Sequence, residues 1–259
     1  DKLTIQGVLS RLLVESNDQF LDKQIAVVAK NRATRWKPDH SSPEAYVDSL
    51  AHHRDRLASL LGMYRDKRPN AGRFEYYSTS GAPLAVADGL TIHAVRWVAF
   101  GGVHGEGLLI EPEQPVADVV ALPDAEQTPE QIAGLATGDQ DSTTYALRLA
   151  QSGCRVLVPS LIGRDENQFA MTHREWLHRP AFELGRHLLG YELHKVIAGI
   201  ECLLSTHGRQ PRKIGVAGWG EGGLLAFYAA ALDPRIEAAC VSGYFAPREW
   251  LWMEPAEHN

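Results

Sequence analysis

Cysteine is scarce in this chain. Cys154, Cys202 and Cys240 stand far apart, with no CxxC among them, and each lies in an apolar run such as GCRVLVPS or IEAACVSG. An odd count without a motif gives neither a disulfide framework nor a zinc site, so all three read as small core residues. Positive charge is also in deficit, with Lys and Arg numbering 26 against 32 Asp and Glu for a net charge of -6. General attraction to phosphate backbones is therefore not expected, and nucleic acid is set aside as a partner. No run approaches the roughly 18 consecutive apolar residues of a membrane helix, and no signal peptide is visible, so no membrane partner is expected either. The first residue is Asp1 and not Met. That fits either a trimmed chain or one whose export signal was removed, which leaves the compartment open, secretion or a periplasmic location included.

What is present is ordinary for a folded protein. Hydrophobic residues make up 44% and charged residues 22% of 259 positions, which excludes disordered, collagen-like and coiled-coil classes. Two regimes of composition follow one another. Residues 1–75 carry leucines and valines at helical spacing among many charges: Leu9, Leu12, Leu13 and Val14, then Phe20, Ile25, Val27 and Val28, then Tyr46, Leu50, Leu57, Leu60 and Leu61. This stretch reads as an N-terminal helical extension, and Ser41-Ser42 before Pro43 marks the start of a helix running to Leu61.

Residues 76–259 read as the main domain. Thr91 to Phe100 alternates as a strand should, Gly101, Gly102 and Gly105 form a turn, and Gly107 to Glu111 returns as its partner. Then come a strand at 118–122, a helix at 143–151, a strand at 155–158, a long helix at 180–204, a strand at 213–217, a helix at 222–232 and a strand at 236–242. Apolar strands alternating with helices call for a mostly parallel sheet covered on both faces.

The most informative segment is KIGVAGWGEGGLLAFYAAALD, residues 213–233, in which an apolar strand runs through a glycine-rich turn straight into a helix. Here the chain resembles the α/β-hydrolases, whose nucleophile elbow is Gly-x-nucleophile-x-Gly. The resemblance spans 91–243 and is nearest to the acetyl-xylan-esterase and dienelactone-hydrolase branch, where Leu189-Gly190-Tyr191-Glu192 lies in a helix before the elbow strand. Gly218 and Gly222 fall on the flanking glycines and Gly220 on the nucleophile, so the attacking hydroxyl is missing. The resemblance also implies an oxyanion hole from the amide of Glu221 and from the Asp124-Ala125 region. It implies an acid and a histidine after the next two strands, and Asn259 is reached before either appears. The expectation is that the polypeptide continues, with further strands or a protein partner covering the sheet edge.

Glu221 opens a helix, where a carboxylate gains from the macrodipole; it reads either as a general base on water or as a capping residue. Trp219 is placed to line a cleft. His173 and His178, in the loop-like THREWLHRP, are placed to touch substrate. Glu183, His187, Tyr191 and His194 share one helix face, but without HExxH they do not make a metal site. His104 reads as a turn residue and His258 as a loop residue, while Tyr244, Phe245, Trp250 and Trp252 read either as cover for the core or as rings that stack on a sugar. A hydrolase of this fold needs no organic cofactor or metal. Two functions follow: a carboxylic-ester hydrolase acting on a small-molecule or acylated carbohydrate ester, with Glu221 or a further segment completing the site, or a non-catalytic scaffold for binding or assembly.

Overall fold

The computed structural model describes residues 7–63, 72–77, 82–136, 144–163, 165–166, 168–206 and 212–245. The chain falls into two compact units, Asp1–His53 and Arg54–Asn259. The first holds α1 (Leu9–Arg35) and α2 (Pro43–Ser49), and α3 (Ala51–Leu60) crosses the division. No residue of α1 is buried, so its apolar side chains, among them Leu13, Val14 and Phe20, face solvent. Ser42 caps α2 by accepting from the Ala45 amide, with Pro43 at the first helical position as the sequence suggests. The single helix expected from Pro43 to Leu61 is instead two, parted at Leu50.

The second unit is built on one mixed sheet. Its strands are β1 (Glu75–Tyr76), β2 (Ala85–Ala87), β3 (Leu90–Phe100), β4 (Val103–Pro112), β5 (Ala117–Leu122), β6 (Cys154–Pro159), β7 (Lys213–Trp219) and β8 (Ile236–Ser242). The order is β1-β3-β4-β6-β5-β7-β8, with β2 paired to β3. Pairing is antiparallel from β1 to β6 and parallel for β6-β5-β7-β8. The helices are α4 (Pro129–Ile132), α5 (Tyr145–Gln151), α6 (His173–Glu183), α7 (Leu188–Ser205) and α8 (Glu221–Leu232).

Strand periodicity sends alternate side chains to opposite faces, and each face has its own core. Trp97, Leu109, Val120 and Leu157 pack beneath α7 and α8 with Leu193, Ile200, Leu203 and Leu225. Leu108, Ile110, Val156 and Val158 pack on the other side with Ile132, Ala146 and Ala150 of α4 and α5. This is the α/β-hydrolase architecture, with the parallel strands at the centre and the antiparallel hairpin outside them. Between the strands lies one buried ion pair. The Arg155 Nε donates to Asp118 Oδ1 at 2.8 Å, and its remaining donors reach Asp118 Oδ2, Thr206 and the Leu203 carbonyl.

Several local expectations are corrected. Gly105 and His104 belong to β4, and only Gly101 and Gly102 turn the hairpin. A Cβ on Gly105 would fall 2.2 Å from the Trp97 ring, so this glycine makes room for a core indole across the strand pair. THREWLHRP is helical: Thr172 and Glu175 form a capping box that starts α6. The long helix expected at 180–204 is the end of α6 and the whole of α7, broken at Gly185 with φ 68°. His187 thus caps α7 and does not continue one face from Glu183 to His194. Cys202 is buried as a core residue, Cys154 is half-buried, and Cys240 is exposed on β8. His258, Trp250 and Trp252 lie outside the described residues. Among those described, no helix is long and apolar enough to cross a membrane.

Candidate active site

The site sits where the parallel strands β5 and β7 end side by side, with Leu122 paired to Gly218. Ligand crevices of open α/β sheets form at these carboxyl ends. β7 passes through Trp219 to Gly220, which has φ 57° and ψ -122° and donates its N–H to the Ser242 carbonyl at 3.0 Å. Glycine adopts such a positive φ without the cost a Cβ would bring. A Cβ on Gly218 would fall 2.1 Å from the Gly222 oxygen, so strand and helix approach here as closely as the flanking glycines of an elbow allow.

From the end of β5, Asp124 turns its carboxylate into this elbow. Its Oδ1 accepts from the Ala125 amide at 2.8 Å and from the Glu221 amide at 2.9 Å. The sequence pattern assigns the Glu221 amide and the Asp124-Ala125 region to an oxyanion hole, and here the Ala125 and Glu221 amides converge on one oxygen. The loop is set by Gln127, whose Oε1 accepts from the Asp124 N–H at 3.1 Å while its own N–H donates to the Asp124 carbonyl at 2.9 Å. The Tyr145 hydroxyl donates to the Leu122 carbonyl just before it. Burial, and next the negative charge of Asp124, push the Tyr145 phenol well above its ordinary value, so it stays protonated and keeps that bond.

Arg174, on the first turn of α6, forms the other wall. It is only 7% exposed; its Nη2 pairs with Glu221 Oε1, and its Nη1 donates to the Ile162 carbonyl at 3.2 Å. Glu221 therefore carries two assignments at once, an amide on Asp124 and a carboxylate on Arg174. Trp219 is 53% exposed beside the mouth, its ring packed near Gly243. His173 and His178 lie on α6 with Arg174, whose side chain reaches the elbow. His173 opens the helix and donates its N–H to the Asp165 carbonyl. His178 stands among the rings of Phe182 and His187, at 6.1 and 6.2 Å. Phe245 is exposed and meets Phe227 edge-on.

The Asp124 side chain and Arg174 were not singled out from the sequence. A signal for the second existed: a charged Arg between two candidate histidines, just after a capping Thr. The elbow pattern points to the backbone around Asp124, whereas its carboxylate acts across 97 positions, a separation that no local pattern encodes.

The dienelactone hydrolase family model matches residues 106–249, which take in β4 through the elbow and β8. The chain belongs to the dienelactone hydrolase family. No curated protein matches it. Among solved structures it is similar to a Bacteroides fragilis NCTC 9343 protein provisionally named an acetyl xylan esterase, with TM-score 0.57 and 18% identity over 82% of this chain and 57% of that one. It is also similar to a glucuronoyl esterase from Solibacter usitatus, with TM-score 0.50 and 15% identity over 76% of this chain and 58% of that one. At such identities the likeness is one of fold. The chain spans less than two thirds of the length of either structure. At the turn between β7 and α8 this chain has Gly220, with the Asp124 carboxylate beside it.

Proposed function

We propose that this chain is an esterase-like α/β-hydrolase that has given up ester cleavage by a hydroxyl nucleophile and keeps its scaffold for binding or assembly. The observation that carries this reading is the Asp124 Oδ1 held between the Ala125 and Glu221 amides. A scissile ester must place its carbonyl oxygen between such amides as charge develops on it. A carboxylate oxygen that already fills the position, and is itself negative, excludes that oxygen by volume and by charge. Gly220 supplies no hydroxyl for the attack, in keeping with the same loss. The reading requires no metal or organic cofactor. Among the described residues β8 pairs only with β7, and its other edge offers a place for further strands or for a protein partner.

A second reading is kept because Glu221 stands at the mouth. In it, Glu221 activates water against a small-molecule or acylated carbohydrate ester, a substrate class suggested by the names of the two esterase neighbours. The ion pair between Glu221 and Arg174 counts against it, since the oxygen that would take the proton already faces a guanidinium. Turnover of p-nitrophenyl acetate separates the two. We expect the native chain and Glu221→Gln both to leave the reagent at its spontaneous rate. Hydrolysis by the native chain that disappears in Glu221→Gln would replace the scaffold reading with the glutamate one.

A further inference from the structure

Two departures from a hydrolase elbow meet at one point: glycine at the nucleophile position and aspartate in the loop opposite. A Cβ built on Gly220 would lie 2.7 Å from Asp124 Cγ, 2.7 Å from its Oδ2 and 2.8 Å from its Oδ1. The carboxylate thus occupies the volume that an elbow side chain would fill, and only glycine at 220 leaves that volume free. The two oxygens of the carboxylate are not equivalent. Oδ1 takes both amides, whereas Oδ2 accepts no hydrogen bond among the described residues, and Asp124 is half-buried at the mouth.

We propose that Asp124 is the nucleophile of this site and acts through Oδ2 on an sp3 carbon bearing a leaving group, such as a strained cyclic ether. The hole decides the class of substrate. Amides of this kind stabilise negative charge on the oxygen they hold, and the oxygen they hold here belongs to Asp124 itself. The carbon they activate is therefore Asp124 Cγ, and the ester they help to open is one formed on Asp124.

In the first step Oδ2 forms a bond to the substrate carbon and the carbon–oxygen bond of the cyclic ether breaks. The electron pair goes to the departing oxygen, which takes a proton from water, leaving a hydroxyalkyl ester of Asp124. In the second step water adds to Cγ and negative charge collects on Oδ1 between the Ala125 and Glu221 amides. Collapse expels the alcohol with Oδ2; one proton of the added water passes to it and the other to the hydroxide that the first step left. The sum is cyclic ether plus water giving a diol, and Asp124 regains a carboxylate with one oxygen from solvent. Carboxylic esters are not consumed in this scheme, so it rests on the loss of ester cleavage proposed above and puts a different reaction in place of a role in binding or assembly alone; a chain inert to p-nitrophenyl acetate can pass or fail the test that follows.

The test uses the native chain with its thiols blocked by N-ethylmaleimide, treated with a nitrophenyl glycidyl ether and read by peptide mass spectrometry. The expected result is a gain of one reagent mass on the peptide that contains Asp124, above any gain at exposed carboxylates such as Glu113 and Glu237, and its loss in Asp124→Asn. Protein recovered after the reaction in heavy-oxygen water should carry one heavy oxygen at Asp124. The Asn variant keeps an oxygen that can accept from both amides; should it fail to fold, the two marks on the native chain decide alone. Asp124 that shows neither a label above that of Glu113 and Glu237 nor a heavy oxygen overturns the proposal.

Discussion

At position 220 a side chain would meet two obstacles. One is backbone conformation, since φ 57° is a region that residues with a Cβ rarely adopt. The other is the Asp124 carboxylate, 2.7 Å from where the Cβ would be. Gly220→Ser restores a hydroxyl in name but must either displace Asp124 from the two amides or sit strained beside it. We expect this variant to lose about 1–3 kcal/mol of stability in urea unfolding and to gain no turnover of p-nitrophenyl acetate. Brisk turnover by Gly220→Ser alone would show that the carboxylate yields to a hydroxyl. The glycine frame of the elbow was legible in the sequence, because close approach of strand and helix dictates residue type locally. The carboxylate that fills the elbow was not, because its position depends on β5 and β7 lying side by side.

Among the elements, β8 is legible in full as 236–242, since an apolar run between Pro234 and Gly243 has few alternatives. The polar run THREWLHRP and the helix start suggested by Pro180 point to a loop where α6 lies; the proline instead lies inside the helix. The break that follows matters for pH. His187 caps α7, its Nδ1 accepting from the Leu189 N–H at 3.1 Å, a bond that requires an unprotonated nitrogen. Burial first, then the positive charge of His178 and of Arg174, hold His187 below its ordinary value of 6.5. The unfolded chain therefore takes up this proton before the folded one does. The contribution of the cap is complete above pH 6.5 and is lost as pH falls through the lower folded value. Thermal melts should show a falling midpoint on acidification below pH 6.5, and His187→Asn, which can still accept the bond but does not titrate, should flatten that slope. An unchanged slope would remove His187 from the acid response.

For the whole molecule, the features that matter are a mixed sheet with a core on each face and the edge that β8 forms at its parallel end. Four consecutive residues of that strand, Glu237 to Cys240, are exposed, and among the described residues it pairs only with β7. Such an edge offers unpaired backbone groups to any other strand. We expect the 259-residue chain to associate as its concentration rises, in sedimentation velocity, and Ala238→Lys to shift it toward the monomer. A chain that stays monomeric over the same range would mean that this edge is not sticky.

The three thiols differ in a way that turns this edge into something that can be observed directly. Burial pushes Cys202 up to about 12, and burial also raises Cys154, so neither offers much thiolate near neutral pH. Cys240 stands exposed in the middle of β8. Nature has left one addressable thiol on the strand whose covering is in question, so that a spin label or fluorophore attached there, without any engineering, reports whether a longer form of the protein or a bound partner shields that strand from water.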